Sequence, residues 1–433
     1  MKAREVILLL LIIGAGALIH EIQNGNLPFF WDFEEGIFWN AQEFDFEETL
    51  TVDPPLPGQL VVDNAHGQVD VQAGPADRIT ITLTKRIYRK TEAEARAAAD
   101  RLRAVLRRPA GQVFVSTTRN EFKRRRDFET DFRISCPAGT ALKVDNSYGK
   151  ILAVGLAAAS LDNSHGPVSV SDVSGPVTVV NSYEDVELLR CGSDASVESN
   201  HSRITAREVK GRLKLRQRYG TLDFSQIGGE VDIDAPHTEI IGRDASGGLT
   251  IANSYDRIRL ARIGSVRVDA DHSDLEAENV QGDCEVRDSY GDIRLTDIQG
   301  SVQVEGRSLS LTGRRLSGPE VRVTTSYQNV ELDDFGGRAE IRISHADLAL
   351  TPAALSGPLD VQGEYAGIRL HWPKGQRYPL QARSRGGRVS WTVSGPAPQT
   401  EENGTFVLKA FGDAVGQPPI TLSTSYENIV IED

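Results

Sequence analysis

The sequence predicts an all-β chain wound as a single-stranded β-helix, a β-solenoid with a repeat of about 18 residues and a deeper period of about 36. Three observations carry this expectation: a motif that returns at fixed intervals, a turn-rich composition, and alternation of aliphatic and polar residues between the turns. The motif is an aromatic or imidazole ring, usually preceded by Ser or Asn, with a branched aliphatic three positions later. It runs Tyr148 and Ile151, His165 and Val168, Tyr183 and Val186, His201 and Ile204, Tyr219 and Leu222, His237 and Ile240, Tyr255 and Ile258, His272 and Leu275, Tyr290 and Ile293. It skips once, where Gly306 precedes Leu309, and resumes with Tyr327 and Val330, His345 and Leu348, and Tyr365 and Ile368. Tyr426 and Ile429 close the series, and His66 and Val69 open it.

Composition agrees. Of 433 residues, 39% are apolar and 6% aromatic, with 40 glycines against a single methionine, which suits many short strands and tight turns better than one thick core. Within each repeat two strands are expected, for example Val177-Thr178-Val179 and Val186-Glu187-Leu188, joined by turns such as Ser174-Gly175-Pro176 and Asn181-Ser182-Tyr183. Alternation in these strands sends Val, Ile and Leu inward and a polar residue out, so the core is a stack of aliphatic rows. Two coil geometries fit. If a single repeat closes the coil, Tyr and His alternate up one column; if the double repeat does, two columns form, Tyr above Tyr and His above His. The second is favoured here, because like rings stack face to face at the rung spacing and this would explain why the alternation is kept.

The remaining elements follow in chain order. Residues 1–25 begin with Lys2 and Arg4, continue with an apolar run over 6–19 and carry Ala15-Gly16-Ala17 near its end. This matches a cleavable signal peptide, the run being shorter than the roughly 20 residues that span a bilayer; an uncleaved membrane anchor is the alternative. Residues 26–57 form a linker rich in aromatic and acidic residues, including Phe29, Phe30, Trp31, Phe33, Phe38, Trp39, Phe44 and Phe46. These rings suit either a membrane interface or a strand packing on the next region.

Residues 58–140 form a strand–helix–strand adaptor or cap. A helix is predicted over 91–108, which contains no Gly or Pro, starts with the capping-box spacing of Thr91 and Glu94, and ends at Pro109. The basic cluster at 123–126 is expected to be a solvated hairpin tip. Repeats fill 141–371. Residues 372–433 continue them as a cap, with the register loosened at Trp372-Pro373, Gly386-Gly387 and a polar loop through Pro396 and Pro398.

The run Asn146-Ser147-Tyr148-Gly149-Lys150-Ile151, its echoes Asp288-Ser289-Tyr290-Gly291-Asp292-Ile293 and Ser425-Tyr426-Glu427-Asn428-Ile429, and the lead-in Cys136-Pro137-Ala138-Gly139-Thr140 resemble the bacterial putative-adhesin β-solenoid family. The likeness covers roughly residues 58–433. That family is largely of unknown function and occurs in exported or membrane-attached proteins, so the resemblance implies a β-solenoid at the cell envelope and supplies no catalytic residues.

Composition also limits chemistry. A net charge of −13 argues against nucleic acid, whose affinity is built from Lys and Arg contacts to phosphates. The three cysteines, Cys136, Cys191 and Cys284, have no CxxC spacing and are expected to be isolated thiols. The motif histidines His66, His165, His201, His237, His272 and His345 lack the Cys, Asp or Glu companions that complete a metal site, so no metal or other cofactor is expected. The motif tyrosines suit stacking on an extended polymer, although packing at the turn is the plainer role.

Catalysis on a β-helix needs clustered carboxylates in a walled cleft. The outward positions Glu187, Asp223, Arg259, Arg294, Glu331 and Arg369 instead mix charges that can pair, and the turns are short. The expectation is a non-catalytic, exported envelope protein that binds a polysaccharide or a protein partner, with membrane contact through its amino end. A self-associating scaffold and a polysaccharide lyase or hydrolase are the alternatives.

Overall fold

A computed structural model describes residues 41–433 apart from 110, 123–126 and 415, so the expected signal peptide or anchor, the rings at 29–39 and the basic cluster lie outside the described residues. The chain is a β-solenoid of roughly 13 turns. Each turn is a rung of two short strands, and successive rungs pair in parallel. Val177–Tyr183 lies between Ala158–His165 and the strand Ala195–Val209, with Val177 opposite Ala159 on one side and Ala195 on the other. Val186–Cys191 does the same one corner later, with Val186 opposite Val168 and Ile204. Two parallel ladders result, and their inward rows merge into one continuous core. Val177, Val179, Val186 and Leu188 are buried in it, while Thr178 and Glu187 face solvent.

These pairings correct the favoured coil length. The partner of Val177 is Ala195, and His165 sits opposite Tyr183, so one coil takes a single repeat and Tyr and His alternate in a single column. Two strands and two corners already close the coil within that repeat, which leaves no second half-coil to hold a separate column. The skipped position is corrected as well. Ile293 pairs with Leu311, so the residue in register with the rings is Ser308, not Gly306. Gly306 pairs with Asp288, two positions earlier in the rung.

Both ends are built out of sequence order. At the amino end Gln59–Asp63 and Val69–Ala73 form a rung before the helix, paired with the strands Ala141–Tyr148 and Ile151–Val154. Its other side is covered by Gln112–Thr117 and Phe128–Cys136, which run parallel to it. Antiparallel strands then finish the edge: Ile79–Arg89 on Phe128–Cys136, and Gln42–Val52 on Ile79–Arg89.

The helix α1, Glu92–Arg101, lies over this layer with Ala95, Ala98 and Ala99 against Ile87 and Phe128, and Phe44 and Phe46 pack at its side. Thr91 caps it as the spacing predicts, its Oγ1 accepting from the Glu94 amide at 3.3 Å. The helix is shorter than expected, however. Leu102 leaves the helical conformation and is fully buried, and Ala104–Arg107 becomes a strand antiparallel to Gln112–Thr117. Pairing to a sheet edge outweighs the local helix preference of this segment.

At the carboxyl end the chain passes from Gly367–His371 over one rung's width to form Leu380–Arg385 and Val389–Trp391. It makes an antiparallel hairpin of Gln399–Glu402 and Thr405–Ala410, then returns to insert Ile420–Ser425 and Ile429–Glu432 into the space left behind. Among the described residues no helix is long and apolar enough to cross a membrane.

Candidate binding surface

The corner between the two strands of each rung must reverse direction in very few residues. From His201 onward, Tyr290 excepted, it does so by placing the ring-bearing residue itself in the left-handed region: φ is 56° at His201, 66° at Tyr219, 55° at His237, 63° at Tyr255 and 58° at His272. In the first repeats the following residue takes this role, Gly149 at 117° and Gly166 at 140°. Non-glycine residues rarely occupy this region, so something must hold them there.

Part of the restraint is a set of buried polar side chains two positions before many of the rings, whereas Ala235, Ala270, Ile343 and Gly363 hold that place before His237, His272, His345 and Tyr365. Asn163 donates from Nδ2 to the carbonyls of Gly149 at 3.0 Å and Gly166 at 2.8 Å. Asn181 donates to Tyr183 at 2.9 Å and Glu184 at 3.1 Å, and Gln217 to Ser202 at 2.6 Å and Tyr219 at 3.1 Å. Each amide satisfies turn carbonyls that the strand ladders leave over. Asp288 occupies the same column and accepts from the amides of Ser289 and Tyr290. Burial pushes its carboxyl above the usual range, against those hydrogen bonds.

All twelve sequence-predicted residues fall on this one corner: Tyr148, His165, Tyr183, His201, Tyr219, His237, Tyr255, His272, Tyr290, Tyr327, His345 and Tyr365. Their rings point outward and lie over one another. From His66 to Tyr290 ten rings form an unbroken stack, with centroids 4.5–5.9 Å apart and planes within 26°. A second stack joins Tyr327, His345, Tyr365 and Tyr426 at 4.7–5.2 Å. It ends under Arg385, whose guanidinium lies 5.6 Å from the Tyr426 ring centre and donates to its hydroxyl at 3.2 Å. The eight tyrosines are 43–57% exposed, so the column is surface and not core.

Stacking decides what this surface can do. Ring faces inside a stack are covered by their neighbours, which leaves the edges, with phenol hydroxyls and imidazole nitrogens, pointing into solvent. Successive histidines are two rungs apart with a tyrosine between them, on the order of 10 Å, too far to share a metal ion. Among the described residues no three His, Cys, Asp or Glu side chains gather as a metal site. The three cysteines are buried and free, and burial pushes the thiols up, to about 11 at Cys191 and about 12 at Cys284, which removes them as nucleophiles.

A second column lies at the other corner, and the ring motif gives no sign of it. Asp172, Arg190, Glu208, Gln226, Asp244, Arg262, Asn279, Asp297, Arg315 and Asp334 recur once per coil with φ of 51–57°. Acid and base meet across one rung: Asp172 with Arg190 at 2.6 Å and 2.7 Å, and Asp297 with Arg315, are two-pronged pairs, as is Asp244 with Arg262. The guanidinium holds each of these carboxyls below the usual range. A sequence signal exists as a polar residue, then an aliphatic or Cys, then a glycine soon after, as in Asp297-Ile298-Gln299-Gly300. Among the outward charges singled out in the sequence, Asp223 meets Arg243 at 3.3 Å, Arg259 meets Glu239 at 2.6 Å, and Arg369 meets Glu432 at 3.7 Å.

Compared with known proteins, the chain matches no family model and no curated protein. Among solved structures it aligns with a crystal structure described as a putative cell adhesion protein from Clostridium sporogenes, over 90% of this chain and 99% of that one, at 7% identity and a TM-score of 0.16. A likeness of that size carries no argument about function, and the fold rests on the strand pairing described above.

Proposed function

We propose that this chain is a non-catalytic, exported protein of the cell envelope whose solenoid presents a rigid binding surface for an extended, uncharged polysaccharide. The observation that carries the proposal is the exposed ring column. Its hydroxyl and ring-nitrogen edges repeat at the rung spacing, which is comparable with the residue spacing of an extended glycan, so one polymer can meet many rungs in register. A net charge of −13 disfavours a polyanion on the same surface.

Export is supported by the basic start and apolar run of residues 1–25. The covered ends weigh against end-to-end assembly, because antiparallel strands and an inserted rung take up the edges that a second copy would extend. Paired outward charges and short turns weigh against a hydrolytic cleft.

The test is to pass the purified chain over immobilised envelope and extracellular polysaccharides, measuring both retention and release of reducing or unsaturated ends. Retention without release, weakened when Tyr219 and Tyr255 are both changed to alanine, is the expected result. Release of new ends would overturn the non-catalytic reading. Absence of retention on every polymer would overturn the polysaccharide reading and leave a protein partner as the occupant to seek.

A further inference from the structure

The ring column has one interruption, and it is built rather than degraded. At Ser308 the backbone takes the left-handed corner conformation that Tyr327 and most ring residues of the column share, with φ at 54°, and the rung hydrogen bonds continue on both sides: Ser308 N to Ser326 O at 2.8 Å and Ser310 N to Gly291 O at 3.1 Å. Two features change together there. The ring is replaced by a hydroxyl, and two positions earlier stands Gly306, where the two adjoining rungs carry the buried polar Asp288 and Thr325. Leu309, fully buried, turns inward beside that glycine, where a Cβ would stand 3.0 Å from its Cδ1, so an apolar plug completes the packing. The rung has lost its ring without losing its shape.

The consequence is a slot. Tyr290 stacks on His272 at 4.5 Å and Tyr327 on His345 at 5.2 Å, and among the described residues neither tyrosine has a ring or guanidinium on its other face. By register the two tyrosines stand two rung steps apart on the same corner, about 10 Å, which is room for one six-membered ring between them. A depression of about 410 Å³ opens beside it, lined by Ser289, Tyr290, Glu305, Gly306, Arg307 and Thr324.

Resting on the polysaccharide reading above, we propose that this slot is a subsite that takes a single pyranose ring of the bound polymer between Tyr290 and Tyr327. Everywhere else in the stacks the column offers edges; here it offers two aromatic surfaces, which suit the apolar C–H faces of a sugar. The depression beside the slot supplies the groups that a ring's hydroxyls need, the Glu305 carboxylate as acceptor and the Arg307 guanidinium as donor, with the partly exposed Ser308 in the intervening rung. An uncharged sugar uses both signs, and the slot fixes the register of the polymer on the repeating surface.

The decisive variant is Ser308→His, which restores the alternation and fills the slot. Histidine holds the same backbone conformation at His201, His237 and His345, so the variant is expected to fold, with an unchanged or higher melting temperature. The probe is a panel of immobilised neutral polysaccharides, with soluble hexasaccharides of β-1,4-linked glucose and of N-acetylglucosamine as competitors. Retention of the parent chain with about tenfold weaker retention of Ser308→His, and similar weakening for Tyr327→Leu, is the expected outcome. Equal retention of the parent and both variants overturns the slot while the polysaccharide reading stands. If the parent chain is not retained at all, the polysaccharide reading falls and the slot with it.

Discussion

The two corners of the coil share one backbone solution and fill it with opposite chemistry. At both, most coils place one residue in the left-handed region, with φ of 50–66° where the ring residue itself or Ser308 takes it and 51–57° on the charged side. On one side stacked rings lean on each other, and on the other Asp and Arg pair across a rung. The comparison teaches that the corner conformation is imposed by the coil, since such different side chains accept it. The side chains then determine how each edge responds to its surroundings. Ring stacks are held by apolar contact and are insensitive to salt, whereas exposed ion pairs are screened.

The strongest way to break the ring corner is through its backbone. A Cβ at Gly166 would lie 2.2 Å from the Gly149 carbonyl oxygen, in a residue whose φ is 140°. Gly166→Ala is expected to cost about 3 kcal/mol or more, read as a lower denaturant midpoint, because neither strain nor contact can relax within stacked rungs. Next comes the amide column. Asn163→Ala removes the donor to two buried carbonyls and should cost about 2 kcal/mol, with faster amide hydrogen exchange confined to the neighbouring rungs.

Asp288→Asn sharpens the comparison in the other direction. Because burial raises the folded-state pKa of Asp288, the penalty for its ionised form is complete above that raised pKa, shrinks as pH falls from it toward the ordinary carboxylate value, and is gone below the ordinary value. The asparagine variant should therefore be more stable than the parent by about 1 kcal/mol near neutrality, with the difference shrinking in acid. Melting curves of both proteins between neutral and acid pH check this.

The smallest effects separate the corners directly. Tyr219→Leu is expected to cost about 0.5–1.5 kcal/mol at any salt concentration. Arg190→Ala should give a smaller drop in melting temperature that vanishes near about 1 M salt. Its partner Asp172 has a lowered pKa, so the pair's contribution is present above the ordinary Asp value and is lost as pH falls through the lowered one. If the two variants respond alike to salt, the distinction between the corners is wrong.

Much of this was legible in the residues. Ring spacing marked the solenoid, the strand pattern and the twelve column positions, and Thr91 with Glu94 marked the start of α1. What escaped did so for identifiable reasons. The coil length could not be read from alternation alone, because a Tyr–His alternation is equally periodic in one column or two. The charged corner was hidden because its residues vary among Asp, Arg, Glu, Gln and Asn, having backbone conformation and not chemistry in common. Ser308 is displaced by two positions from the place the spacing suggests because a serine gives no ring to align, and its rung is identified only by the Ile293–Leu311 pairing.

By itself, then, the sequence determined that aliphatic rows recur with a fixed repeat, that strands alternate, and which residues mark the corner, because periodicity and side-chain alternation are local properties of the chain. Only the tertiary structure decided that the coil closes within a single repeat, that rings stack by their faces and present their edges, that Ser308 interrupts the ring column between Tyr290 and Tyr327, and that both ends are sealed out of order. Each of these depends on which rung lies on which, and rung neighbours are set by hydrogen-bond pairing across residues distant in the chain.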